Sequence, residues 1–140
     1  MLASKNILVL CTGNSCRSQI AEGYLRYFTN ETIGVYSAGI QAHGINPMAI
    51  RTMMEDGIDI SNQTSNPIHA YADIEFDFLI TVCDHANENC PILFTNAIRI
   101  HQNFPDPARV VGSDEDKARV FREVRESIKS FSKKFVETYL

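Results

Sequence analysis

The run Ile7-Leu8-Val9-Leu10, followed at once by Cys11-Thr-Gly-Asn-Ser-Cys-Arg17-Ser18, constrains this chain more than any other stretch. Four consecutive apolar residues before a turn read as a strand buried on both faces. Thr12, Gly13, Asn14, Ser15 and Cys16 turn the chain, and Arg17 opens a helix reaching about Phe28. Such a unit places a thiol below backbone N–H groups at a helix N-terminus, where the unpaired donors and the macrodipole favour an anion. The same field is expected to lower the pKa of Cys11 and make it a nucleophile. Arg17 adds a permanently charged planar fork suited to a tetrahedral oxyanion. The Ser18 hydroxyl is expected to donate to the Cys11 sulfur. The stretch reads as thiolate attack on a phosphate-like substrate.

The remaining sequence alternates strands and helices. Lys5–Leu10 is the first strand, Gly34–Ala38 a short second, Asp77–Val82 a third and the region from Ala97 to Ile100 a fourth. Asn46-Pro47 starts a helix as N-cap and first-turn proline, with Ala49, Ile50 and Met53 inward and Gly57 at its end. Ser61–Pro67 is polar and reads as a loop. The longest helix starts at Ser113, capped with Asp116, and Phe121, Val124, Ile128, Phe131 and Phe135 form its apolar stripe. The order predicts a single α/β domain over residues 1–140, with a four-stranded parallel sheet covered by helices on both faces. Ligands of such sheets bind at the carboxyl ends of strands. Cys11 and Cys83 both fall there.

A chain of 140 residues is long enough for one sizeable core. A formal charge of -4 argues against a nucleic-acid or anionic-membrane partner, so an anionic substrate depends on local donors. No apolar run is long enough to span a membrane, and Met1–Lys5 is too short before the first strand for a secretion signal. The four cysteines, Cys11, Cys16, Cys83 and Cys90, are compatible with two structural disulfides. A nucleophilic thiol in an α/β chain instead favours reduced cysteines and the cytoplasm.

Cys83-Asp-His-Ala-Asn-Glu-Asn-Cys90 carries the second signal. If helical, it holds its two thiols roughly 10 Å apart along the axis, whereas a disulfide needs α-carbons within about 7 Å. Asp84, Asn87, Asn89 and the following Pro91 are poor supports for a helix, so the pair reads as a switch that unwinds on oxidation. Two inert buried thiols are the plainer alternative. A zinc site through Cys83, His85 and Cys90 lacks a fourth ligand. Asp106, in Phe104-Pro-Asp-Pro-Ala108, is a turn residue or, opposite Cys11, the acid that protonates a departing oxygen. Cys16 is expected to turn its side chain away from the anion. His43, His69, His85 and His101 are scattered and read as ordinary surface or core residues. Glu22 and Ser37 read as solvated or capping.

On these residues the chain resembles the thioredoxin-coupled arsenate reductases, relatives of the low-molecular-weight protein tyrosine phosphatases. The resemblance rests on Cys11–Gln19, Tyr36–Ile40, His43-Gly44, Asn46-Pro47, Gly57–Ser65, Cys83 with Cys90-Pro-Ile92, and His101 with Phe104 and Asp106-Pro-Ala108. It implies the low-molecular-weight phosphatase fold, a monomer, and no bound cofactor. It further implies that Cys11 attacks arsenate held by the loop of Thr12, Gly13, Asn14, Ser15, Cys16 and Arg17, with phosphate and sulfate as competing oxyanions. Cys83 then attacks Cys11, Cys90 attacks Cys83, and thioredoxin reduces the Cys83–Cys90 disulfide. Some members hold potassium through positions matching Asn14, Glu22, Ser37 and an aspartate; here that last position is Asn66. Gln102 and Pro105 also depart from the common pattern. Ala108 and Arg109 stand where tyrosine phosphatases carry tyrosines. A phosphatase of phosphotyrosine or small phosphoesters is the alternative activity, and a redox-sensing or oxyanion-binding module a third reading.

Overall fold

The computed structural model describes residues 4–90 and 96–140. Its strands are β1 (Lys5–Cys11), β2 (Ile33–Gly39), β3 (Phe78–Thr81) and β4 (Ile98–His101). Its α-helices are α1 (Arg17–Phe28), α2 (Pro47–Glu55), α3 (Asp84–Glu88) and α4 (Asp114–Tyr139). Short 3-10 turns span Ile68–Tyr71 and Pro107–Arg109. All strand pairs are parallel and the order is β2-β1-β3-β4. The chain leaves β1 for β2 on one side and later returns to β3 on the other. That reversal opens a crevice at the carboxyl end of β1, where Cys11 lies.

The continuous apolar run of β1 follows from its place between two partners: Ile7, Leu8, Val9 and Leu10 are all fully buried. Alternation along the strands separates the two faces. Ser37 meets Glu22 of α1, and Phe78 packs edge-on to Phe135 of α4, so α1 and α4 cover one face. Tyr36 packs on Tyr71 and Phe76, and Thr81 bonds His101 and Asn87 of α3, so the 3-10 turn and α3 cover the other. The expected cover on both faces is present. The helix α2 packs against α4, where Arg125 Nη1 donates to Thr52 O at 2.9 Å.

Local signals explain the helix ends. Asn46 Oδ1 accepts from Met48 N–H at 2.8 Å with Pro47 in the first turn. Ser113 and Asp116 form a reciprocal capping box at 3.1 Å in each direction. The α4 stripe buries Phe121, Val124, Ile128, Ser132 and Phe135. Phe131 is only half-buried and packs edge-on to Phe104 instead. The segment 61–67 is irregular as expected, whereas the turn at Ile68–Tyr71 has no periodic signal. Pro91 and Ile92 lie outside the described residues.

Gly39 ties the sheet to the loop after β1. A Cβ there would stand 2.2 Å from Gln41 O and 2.8 Å from both Asn14 N and Thr12 O, all of them backbone atoms. Gly39→Ala is therefore expected to cost about 1–3 kcal/mol in urea unfolding, and an unchanged midpoint would show that the strand and loop can separate freely.

Candidate active site

The six residues after β1 begins to turn have their carbonyls satisfied by neighbouring segments. Ile40 N–H donates to Cys11 O, Gln41 N–H to Thr12 O, His43 N–H to Gly13 O, Asn46 N–H to Ser15 O and Ile20 N–H to Cys16 O, all within 2.9–3.1 Å. Gln19 Nε2 donates to the Asn14 carbonyl at 3.0 Å. Among the described residues, the amides of Gly13, Asn14, Ser15 and Arg17 donate to no protein acceptor. A loop with occupied carbonyls and free amides presents donors to an anion.

Asn14 holds this shape from inside. It is fully buried and has a φ of 51°, a left-handed conformation that asparagine tolerates better than most residues. Its Nδ2 donates to Ser18 Oγ at 2.8 Å and to Ser37 Oγ at 2.9 Å, and its Oδ1 accepts from Asn66 N–H at 2.9 Å. Ser37 in turn donates to Glu22 Oε1 at 2.6 Å. The three positions matched to a potassium site, Asn14, Glu22 and Ser37, are thus brought together as a hydrogen-bonded chain.

A cavity of about 200 Å³ lies against the loop, walled by Cys11, Thr12, Gly13, Ser15, Cys16, Arg17, His43, Asp106, Ala108 and Arg109. It is below the range of pockets for drug-sized ligands and of a size for a small oxyanion. None of its walls is a tyrosine, tryptophan or phenylalanine. Arg17 Nη1 is anchored to Phe104 O at 3.0 Å, and Nη2 stands 3.8 Å from Asp106 Oδ2. Asp106 accepts Ala108 N–H at 3.0 Å, capping the Pro107–Arg109 turn, and pairs with Arg109 Nε at 3.6 Å. The loop, Arg17 and Asp106 therefore line one cavity.

Cys16 is buried in the loop wall at the N-cap of α1, its Sγ accepts from Ser15 Oγ at 3.9 Å, and burial pushes its thiol up to about 11. Two expectations are corrected. The Ser18 hydroxyl is held by Asn14 and makes no bond to Cys11 Sγ. Most consequentially, the Cys11 pKa is raised, not lowered. The neighbouring Cys83 pushes it up and burial adds to the effect, against the opposing charge of Arg17. Cys83 has Cys11 beside it, shares a hydrogen bond with Thr12 Oγ1 at 3.2 Å and accepts one from Ala86 N–H at 3.4 Å. These hold its pKa near 5 despite burial. Of the two neighbouring sulfurs Cys83 is held low and Cys11 high, because Cys83 has the better donors.

Cys83 is also the N-cap of α3. That helix stops at Glu88, before Cys90, so one helix does not carry both thiols. Cys90 is half-buried, with its thiol pushed up by burial. A second cavity, of about 530 Å³, lies beside Cys83 and shares Thr12, Arg17, Asp106 and Arg109 with the first. No three His, Cys, Asp or Glu side chains group as a metal site among the described residues. No helix among them is long and apolar enough to cross a membrane.

Two site residues escaped the sequence reading. The His43 ring lies against Gly13, where a Cβ would come within 2.5 Å of its Nδ1. Its place next to Gly44, soon after β2, was the available signal. His101 bridges Thr81 and Asp84, at 2.7 Å each, and so braces α3 against β4. Nothing in its sequence neighbourhood marks that pairing.

This sheet order, with a Cys-x5-Arg-Ser loop at the carboxyl end of β1, defines a class. Residues 6–139 match the low molecular weight phosphotyrosine protein phosphatase family, and the chain belongs to it. Within that family it is similar to the arsenate reductase of Halalkalibacterium halodurans, 49% identical over 134 residues that cover 96% of each chain. The arsenate reductase of Bacillus subtilis is 46% identical over 137 residues, 98% of this chain and 99% of the relative. A solved arsenate reductase in its reduced state has a TM-score of 0.80 at 33% identity, covering 97% of this chain and 99% of that one. Another, in a phosphate binding state, gives 0.77 at 33% identity with the same coverage.

The lowered pKa of Cys83 predicts a thiolate titration. Absorbance at 240 nm should show one thiolate per chain forming with a midpoint near 5 and lost below it. Cys83→Ser should abolish that step; its persistence would place the charge on another sulfur.

Proposed function

We propose that this chain reduces arsenate to arsenite by a relay through Cys11, Cys83 and Cys90, with a thioredoxin-like dithiol protein as the final reductant. The observation that supports this reading best is the place of Cys83 beside the oxyanion loop: β3 pairs with β1 at Leu10 and Thr81, and Cys83 Sγ stands 3.2 Å from Thr12 Oγ1, next to Cys11. Phosphoester hydrolysis needs a nucleophile and an acid, and has no use for a second thiolate against the first. A relay needs it there.

In the proposed mechanism arsenate enters the 200 Å³ cavity and is held by the loop amides and Arg17. Cys11 passes its proton toward Cys83 and attacks arsenic, while Asp106 protonates the departing oxygen, which leaves as water. A sulfur–arsenic(V) bond results. Cys83 releases that proton to solvent and attacks Cys11 Sγ; the sulfur–arsenic electron pair goes to arsenic, which leaves as arsenite, and a Cys11–Cys83 disulfide remains. Cys90 attacks Cys83 and releases Cys11 as a thiolate. An external dithiol then reduces Cys83–Cys90. The two electrons gained by arsenic come from the two thiolates that form the first disulfide. Reduced cysteines and this chemistry fit the cytoplasm.

The test is NADPH oxidation with thioredoxin and thioredoxin reductase. Turnover should require arsenate, and its absence with every thiol donor would sink the proposal. Cys83→Ser should stop arsenate turnover while sparing any hydrolysis of small phosphoesters; activity insensitive to this change would mark a phosphatase. Cys90→Ser should trap Cys11–Cys83 after one equivalent of arsenate, and peptide mapping that found Cys11–Cys16 would refute the relay order. Asp106→Asn should slow the first step by about 10²–10⁴-fold in single-turnover measurements.

A further inference from the structure

The chain Asn14–Ser37–Glu22 continues one residue further. Glu22 is buried, and its second oxygen, Oε2, accepts from Arg26 Nε at 2.8 Å, one helical turn along α1. Arg26 Nη2 also donates to Val35 O on β2. The guanidinium is thus fixed between α1 and the strand that carries Ser37.

A dissolved monovalent cation does not fit this arrangement. Glu22 Oε1 is taken by Ser37, Glu22 Oε2 by Arg26, and Asn14 Oδ1 by Asn66 N–H. Ser37 Oγ accepts from Asn14 Nδ2. Asn66 turns its Nδ2 donors to Thr64 Oγ1 at 2.6 Å and Tyr71 Oη at 2.8 Å, and carries no charge. A cation placed among these groups would meet amide donors and a guanidinium, and would have to displace Arg26 from Glu22.

We propose that Arg26 is a positioning residue for the oxyanion loop: its guanidinium supplies, within the chain, the positive charge that buried Glu22 requires, so the loop keeps its shape without a dissolved cation. This rests on reading the loop as the oxyanion site. An unpaired buried carboxylate takes up a proton or turns to water. Either change removes the acceptor that fixes the Ser37 hydroxyl, and with it one of the two acceptors that hold Asn14 in its left-handed conformation. The loop amides on either side of Asn14 then lose their alignment. The partly exposed Arg26 is worth little as a surface ion pair; its effect comes through Glu22, which is not on the surface.

The experiment compares the parent, Arg26→Lys and Arg26→Gln in potassium chloride and in tetramethylammonium chloride at equal ionic strength, since screening alone alters anion binding. Inorganic phosphate affinity is read by calorimetry and melting temperature by heat unfolding. The parent should give the same values in both salts. Arg26→Gln should bind phosphate about tenfold more weakly in tetramethylammonium, melt lower there, and recover both in potassium. Arg26→Lys should stay close to the parent. A parent that tightens severalfold in potassium overturns the proposal, as does an Arg26→Gln chain that equals the parent or whose loss potassium does not reverse. Should Arg26→Gln not fold, the parent and Arg26→Lys carry the test: salt-independent values in both support the proposal, and potassium dependence in either overturns it. No phosphate binding by the parent in either salt would refute the oxyanion reading itself, and the melting temperatures would still decide whether potassium substitutes for Arg26.

Discussion

A short loop can offer its amides to an anion only if its carbonyls are occupied elsewhere. Here that constraint organises the molecule around β1. Residues 40, 41, 43 and 46, just past β2, supply four of the required donors from their own backbone. The end of β2, the start of α2 and the loop are therefore folded as one object. Gly39 is the point where they touch most closely. The parallel sheet matters because it places β2 beside β1 with its carboxyl end at the same level, so that the chain leaving β2 passes over the loop.

The second organising contact joins sulfurs far apart in sequence. An isolated thiol at a helix N-terminus should be acidic, and Arg17 adds to that expectation. The register of β1 with β3, Leu10 beside Thr81, brings Cys83 next to Cys11 and changes the outcome. Two neighbouring thiols cannot both be readily ionised, and Cys83 has the additional donors Thr12 and Ala86. The ionised sulfur of the pair is thus the one farther from the anion loop. In the proposed reaction this separates the role of thiolate store from that of first nucleophile.

Much of the architecture was legible because its causes are local. The apolar run of β1, the caps at Asn46 and Ser113 and the three-and-four spacing in α4 act through adjacent residues or a single turn. Element ends moved by one residue where strand pairing extended them, as at Cys11 and Gly39. The loop, Arg17 and Asp106 were legible as residue types with a shared chemistry, and the resemblance tied Cys83 to them. The distribution of the proton was not legible, because the deciding contact spans 72 positions in the chain, from residue 11 to residue 83. Glu22 and Arg26 are four residues apart, an ordinary surface pairing by spacing alone. Only the burial of Glu22 against Ser37 makes that pair part of the site.

The sulfur of Cys83 is at once a nucleophile and the cap of α3. A capping acceptor contributes about 0.5–2 kcal/mol to a helix, and a five-residue helix has no other reserve of its own. Any chemistry that removes charge from Cys83 therefore also weakens the hydrogen bond from Ala86. Other restraints on α3 are the brace through Asp84 and His101, Asn103, which accepts the Asp84 amide at 3.0 Å, and the bonds of Thr81 and Arg99 to Asn87. The cap of α3 thus follows one sulfur's electron count: stronger while Cys83 is ionised, and weaker once those electrons have been committed to a bond.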